Sequence, residues 1–167
     1  MKENPEPIFE PWYWANRLRT AQWENSAIFI TTPDKWEAIE NRHRDILDRL
    51  VQPNDSIFDA GCGWGRLLTM LPENWHGDYM GVDISPDFIQ RAKHDHPNKA
   101  FMVGDLRNIP TDVLKGEFDW AIMISIRPMV CDNKGEEVWA GIEANLRQVA
   151  KKLLYLEYRS DDKGSIE

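Results

Sequence analysis

Positive charge is in short supply. Twenty Lys and Arg stand against 28 Asp and Glu, which leaves a net charge of −8. A chain this acidic has no general electrostatic grip on a phosphate backbone, so nucleic acid is not the expected partner. Cysteine is scarcer still. Cys62 and Cys131 form no CxxC pair and no disulfide framework, which points to a reducing cytoplasm. Long apolar runs are missing too. The run "WAIMISI" falls far short of the roughly 20 residues a membrane helix needs. The opening "MKENPEPIFEP" has no apolar signal core and is too acidic for a transit peptide, so it reads as a loose leader. Repeats and low-complexity stretches are absent, which excludes solenoids and disordered tracts.

What remains is a 167-residue chain, 42% hydrophobic and 11% aromatic, the size of one domain. The first thirty residues read as irregular and aromatic, an arm over 1–31 ahead of a core over 32–167. The core opens on "TTPDKW", where Thr32 can cap a helix and Pro33 suits its first position. Trp36, Ile39, His43, Ile46, Leu47 and Leu50 then follow at helical spacing. His43, on that apolar face, reads as a core residue. Beyond "QPND" the pattern changes. "SIFDA", "DYMGVDI", "KAFMVGD", "FDWAIMISI" and "KKLLYLEYR" read as strands. "GRLLTML", "SPDFIQRAKHD" and "GEEVWAGIEANLRQVA" read as helices between them. Such alternation predicts an α/β fold with a mostly parallel sheet covered on both faces.

In sheets of this kind, ligands sit beyond the C-terminal strand ends. The residues there are therefore the candidates. "DAGCGWG", Asp59 to Gly65, follows the first strand. Gly61 and Gly63 permit positive φ and remove Cβ atoms that would keep a ligand off the main chain. The helix start after them is expected to offer unpaired N–H groups and a positive dipole end. A dinucleotide loop needs G-x-G-x-x-G, but its last position here is Arg66. Asp59 beside the loop would repel a pyrophosphate and attract a cation. Asp83 closes the second strand, 83 − 65 = 18 residues past the last glycine, where a carboxylate can accept from ribose hydroxyls. Asp105 closes the third, where it can accept from an exocyclic amine while Leu106 offers its N–H to the adjacent ring nitrogen.

"IFDAGCGWGRLL", "GVDIS", "VGDL" and "FDWAIMIS" resemble, in order and spacing, the four sequence blocks of class I S-adenosylmethionine (SAM)-dependent methyltransferases, over roughly Ser56 to Glu157. The resemblance implies a Rossmann-like three-layer sandwich with strand order 3-2-1-4-5. It implies SAM as cofactor, with Asp59, Gly61, Cys62 and Gly63 at the methionine end and Asp83 and Ile84 at the ribose. Asp105 and Leu106 would bind adenine, and Ser125 would flank the cofactor. The aromatic arm from Trp12 to Arg19, with Trp14 and Arg17, would either form a lid over the cofactor or simply pack as an aromatic arm. Arg127 and Met129 would face the acceptor.

Three departures from the family pattern matter. "SIRP" stands at Ser125 to Pro128 in place of an "NPPY"-type tetrapeptide, which counts against methylation of nucleic-acid bases. No metal cluster is evident: "HDHP" at His94 to Pro97 reads as a solvated helix end. "DDKGSIE" reads as too short and polar to supply the final antiparallel strands, leaving the fifth strand as an open edge. A homodimer or the arm is expected to cover that edge. The expected activity is methyl transfer to a small-molecule or protein acceptor, with no catalytic base identifiable. The alternative is a non-catalytic SAM-binding subunit. A nicotinamide enzyme is disfavoured by Arg66.

Overall fold

A computed structural model describes residues 5–21, 33–109, 117–158 and 165–166. The expected cap Thr32, Trp23 and the loop at Pro110 lie outside them. Helix α1 spans Pro11–Thr20 and α2 spans Pro33–Leu50. Strand β1 is Ile57–Ala60, β2 is Tyr79–Asp83 and β3 is Ala100–Val103. Helix α3, Pro86–Asp95, joins β2 to β3. Strand β4 is Phe118–Ile124, followed by α4, Ile126–Lys134, and α5, Glu136–Val149. Strands β5, Ala150–Leu156, and β6, Ser165–Ile166, complete the order.

The sheet runs β3-β2-β1-β4-β5-β6. Its first five strands are parallel, in the order the sequence implies. Alternate residues serve opposite faces, as the strand period of two requires. Phe58, Ala60, Ala121, Met123, Leu153 and Tyr155 join one core with Trp14 of α1 and Trp139, Ile142 and Leu146 of α5. Ile57, Trp120, Ile122, Leu154 and Leu156 join the other with Ile46 and Leu47 of α2. All four β1 residues are buried, so this strand is covered on both sides. Among the described residues no helix is long and apolar enough to cross a membrane.

Helix α3 begins as its sequence directs. Ser85 Oγ accepts from Phe88 N at 3.4 Å, and Pro86 occupies the first turn. His43 is fully buried, its Nε2 3.1 Å from the Glu157 carbonyl. His94 lies at the exposed end of α3 beside Asp95.

Four expectations need correction. The arm is not irregular throughout: Pro11–Thr20 is helical, started by Pro11 and carried by Trp14, which is buried against Phe88. "GRLLTML" makes only a four-residue 3₁₀ turn, Arg66–Thr69, so no long helix dipole faces the glycine loop. The stretch after β4, read with no element of its own, is helix α4. Pro128 misleads there, yet in a first turn its missing N–H has no partner to lose. Finally, an antiparallel strand is present: β6 pairs Ile166 with Leu154 and Ser165 with Tyr155, so β5 is not wholly open.

Candidate cofactor and acceptor cavities

The parallel strand ends open into a cavity of about 410 Å³. That lies within the roughly 300–1,000 Å³ usual for small-molecule sites. Its floor is the loop after β1. Gly61 N and Cys62 N both donate to the Val82 carbonyl, at 2.8 and 3.0 Å, which fastens the loop to β2. Gly61, Gly63 and Gly65 all have positive φ. Their roles differ. A Cβ at Gly61 would collide with Ile126 of α4, whereas one at Gly63 would meet nothing within 4 Å. Gly63 is nonetheless buried, so the space beside it belongs to the cavity. A ligand can lie there directly on the backbone.

Asp83 is fixed beside that loop by the main chain. Its Oδ2 accepts from Gly63 N at 2.9 Å and its Oδ1 from Ser85 N at 2.8 Å. Burial pushes its pKa to about 6, against the pull of those backbone donors. Asp59 is buried more deeply and accepts the Tyr79 hydroxyl at 2.6 Å. Burial carries it to about 7, and the nearby Asp83 charge adds to the rise. Burial likewise holds the Cys62 thiol well above its usual range, which suits an inert loop residue. Asp105 differs from both. Burial would raise its pKa, but Arg107 outweighs it and lowers it, donating from Nε at 2.9–3.0 Å and from its backbone N–H.

The roof comes from the arm and from α4. Ile8, Phe9, Tyr13, Trp14 and Arg17 line it. Trp14 Nε1 donates to the Ile8 carbonyl at 2.8 Å, and Glu6 N donates to Asn133 Oδ1 of α4 at 2.8 Å. The Tyr13 hydroxyl bonds to Glu6, and Arg17 Nη1 donates to Tyr13 Oη at 3.2 Å. Arg107 stacks over Phe9 at 3.9 Å.

The structure thus brings Asp59, Gly61, Cys62, Gly63, Asp83, Ile84, Asp105, Leu106, Ser125, Trp14 and Arg17 to one cavity, with Met129. Arg127 lies elsewhere. It lines a second, more open cavity of about 480 Å³ with Cys131, Asp132, Glu136 and Glu157. Ser125, Pro128, Asp132 and Tyr158 border both. Sequence reading did not assign Tyr158, Asn133 or Arg66 to the site. Only Arg66 carried a local signal, as the residue that breaks the dinucleotide pattern.

A family model described as a methyltransferase domain matches residues 57–149, more than half of the chain. The ribosomal protein L11 methyltransferase of Burkholderia mallei is 35% identical over 74 residues, covering 44% of this chain and 24% of that protein. The chain therefore spans about a quarter of the length of such curated relatives. Among solved structures, the PH0226 protein of Pyrococcus horikoshii superposes with a TM-score of 0.62 at 23% identity, covering 80% of this chain and 65% of that one. Magnesium protoporphyrin IX methyltransferase of Synechocystis with bound SAM gives 0.56 at 20% identity, covering 84% and 68%. These likenesses share the fold. The match over residues 57–149 places the chain in the methyltransferase domain family, and it has a Rossmann-like fold of the kind those structures share.

Proposed function

We propose that the chain transfers a methyl group from SAM to a small-molecule or protein acceptor. The open space over Gly63, walled by Asp59 and Asp83 within a 410 Å³ cavity, is the observation that carries this reading. The residues present fit the cofactor. Asp83 is oriented by backbone donors and keeps lone pairs for ribose hydroxyls. Ile84 and Leu106 supply apolar walls for the base, with Asp105 at its edge. Asp59 and Asp83 give the floor the negative charge that a sulfonium and an ammonium require.

Bound SAM supplies a methyl on a cationic sulfur, open to in-line displacement by a nucleophile. The chain's own residues contribute alignment and dryness. Trp14, Phe9 and Ile8 roof the cavity and keep water out. Met129 and Arg127, on successive faces of α4, border the route by which an acceptor would arrive. No side chain is assigned as a base, and the proposal needs no resident metal. The cytoplasm is the proposed location, since Cys62 and Cys131 are free thiols. Among the described residues β6 pairs with β5 at Leu154 and Tyr155, so a homodimer contact would use the rest of that edge.

Calorimetry with SAM, S-adenosylhomocysteine and NAD, each with and without chelator, tests the reading. Binding of both SAM species, unchanged by chelator, is expected. NAD binding more tightly than SAM would overturn it.

A further inference from the structure

The 3₁₀ turn after β3, Leu106–Asn108, stands where the strand ends meet the roof. Asn145 of α5 fixes its backbone, donating from Nδ2 to the Leu106 and Arg107 carbonyls at 3.1 and 2.9 Å. Asp105 caps the turn and lines the main cavity. Arg107 grips that carboxylate with three donors. Its backbone N–H reaches Oδ1 at 2.9 Å, its Nε lies 3.0 and 2.9 Å from Oδ1 and Oδ2, and its Nη2 donates to Oδ2. The guanidinium carbon lies 3.9 Å from the Phe9 ring centroid, and Phe9 lines the same cavity from the arm. Arg107 does not itself line the cavity.

An ionised carboxylate has about four lone-pair sites, so three donors from one residue leave about one for a ligand. Arg107 also fixes the direction of that last site, because a planar fork holds a carboxylate at two points and resists its rotation. Phe9 restrains the guanidinium in turn by stacking on it. Asp105 is therefore neither free nor fully spent. It offers one acceptor, in one direction, backed by the arm. The N–H of a 6-amino group on a purine satisfies such an acceptor. A 6-oxo group sets lone pair against lone pair, and a carboxylate that cannot turn has no escape from the repulsion.

We infer that Arg107 is a specificity-determining positioning residue: braced on Phe9 of the arm, it locks Asp105 so that the cavity takes a 6-aminopurine nucleoside and refuses the 6-oxo analogue. The inference rests on the SAM reading and adds that the arm takes part in choosing the base.

The test uses the full chain with S-adenosylhomocysteine and S-inosylhomocysteine. These differ in the 6-amino against the 6-oxo group and in the proton on the adjacent ring nitrogen. That proton meets the same backbone in every variant, so the change in preference reports Arg107. Affinities are measured by calorimetry for the unaltered chain, Arg107→Met, Arg107→Lys and Phe9→Leu. The unaltered chain is expected to prefer the adenosyl ligand by about tenfold or more. Arg107→Met lowers that preference about fivefold. Arg107→Lys keeps the charge without the fork, and Phe9→Leu removes the stacked face, so each lowers it less. The Arg107 side chain is 43% exposed, so its removal leaves the core intact. Should Arg107→Met still fail to fold, the other two variants decide, and an unchanged preference in both overturns the inference. A merely structural role weakens both ligands by one factor and leaves the preference where it was, which also overturns it. So does a preference that rises in Arg107→Met, since Asp105 would then read the base better when released. A preference lost in Arg107→Met but untouched in Phe9→Leu overturns the arm's part. An unaltered chain that binds both ligands equally overturns the inference alone, whereas one that binds neither overturns the SAM reading itself.

Discussion

The floor of the main cavity and its roof are built on different principles. The floor is main chain: glycines at positive φ, a loop fastened to Val82, and Asp83 gripped by two backbone N–H groups. Turning the loop or Asp83 would break these main-chain hydrogen bonds. The roof leans more on side chains: Tyr13 on Glu6, Arg17 on Tyr13, Arg107 over Phe9, beside the Trp14 and Asn133 bonds to main chain. Most of those groups are only half-buried or exposed, so each contact is weak and replaceable. The difference assigns selectivity to the floor and access to the roof.

The sharpest way to break this comparison is Gly63→Val. The valine must adopt a φ near +54° and would fill the cavity. S-adenosylhomocysteine affinity should fall by roughly a hundredfold or more, about 2.7 kcal/mol, while circular dichroism stays native. Unchanged affinity would place the ligand elsewhere. Asp83→Ala comes next. It removes an acceptor from any ligand hydroxyl and frees the Gly63 and Ser85 N–H groups, so affinity should drop by ~1.5–3 kcal/mol.

Acidity probes the floor without mutation. Asp59 and Asp83 have folded pKa values raised from 3.8 to about 7 and about 6. Each holds its proton more tightly when folded, so each favours the fold fully below the unfolded value. That contribution is lost as pH climbs through 6 and 7. The empty chain should therefore melt at a lower temperature at about pH 8 than at about pH 5 as far as these two groups decide it. Cationic SAM pairs with the ionised carboxylates, so the stabilisation it gives should grow over the same window. A SAM-induced melting shift that is flat with pH would contradict the charge assignment.

The roof should respond more gently. Tyr13→Phe deletes the hydroxyl that joins Glu6 to Arg17 and should cost about 0.5–1.5 kcal/mol of stability or affinity by calorimetry. A loss as large as that of Asp83→Ala would erase the distinction between floor and roof. Gly141→Ala supplies the smallest effect, with the opposite sign. Gly141 also has nothing within 4 Å of its missing Cβ, but it sits exposed on α5. The substitution should raise stability by roughly 0.5–1 kcal/mol in denaturant titrations and leave binding alone.

The floor was legible in the sequence because its signals are local. Glycine spacing, a strand-end acid and a Ser-Pro helix start each report on their own backbone. The roof was less legible because it depends on long-range pairings. Nothing around Glu6 announces Asn133, 127 residues away. "PWYWANRLRT" concealed a helix because aromatic residues are mediocre helix formers and packing on Phe88 decides the matter. Pro128 hid α4, and a two-residue strand such as β6 leaves almost no periodicity to read. Arg66 was noticed for what it excluded. What surrounds it, Trp36 from α2 and Tyr158 from past β5, meets it only in three dimensions.

Ser125 is the only non-glycine among the described residues with positive φ, at 55°. Glycine would occupy that conformation freely, whereas serine costs roughly 1–2 kcal/mol. Its Oγ accepts from Tyr158 N at 3.0 Å, and its own N–H reaches the Leu156 carbonyl at 2.7 Å. One such side-chain bond returns about 1 kcal/mol, so the exchange is close to neutral for stability. What the serine gains is a tie: it joins the end of β5 to the end of β4. The two cavities thereby share a wall held by Ser125 and Tyr158. Were a ligand in one to displace Tyr158, the effect on affinity in the other would be equal in both directions, as linkage requires.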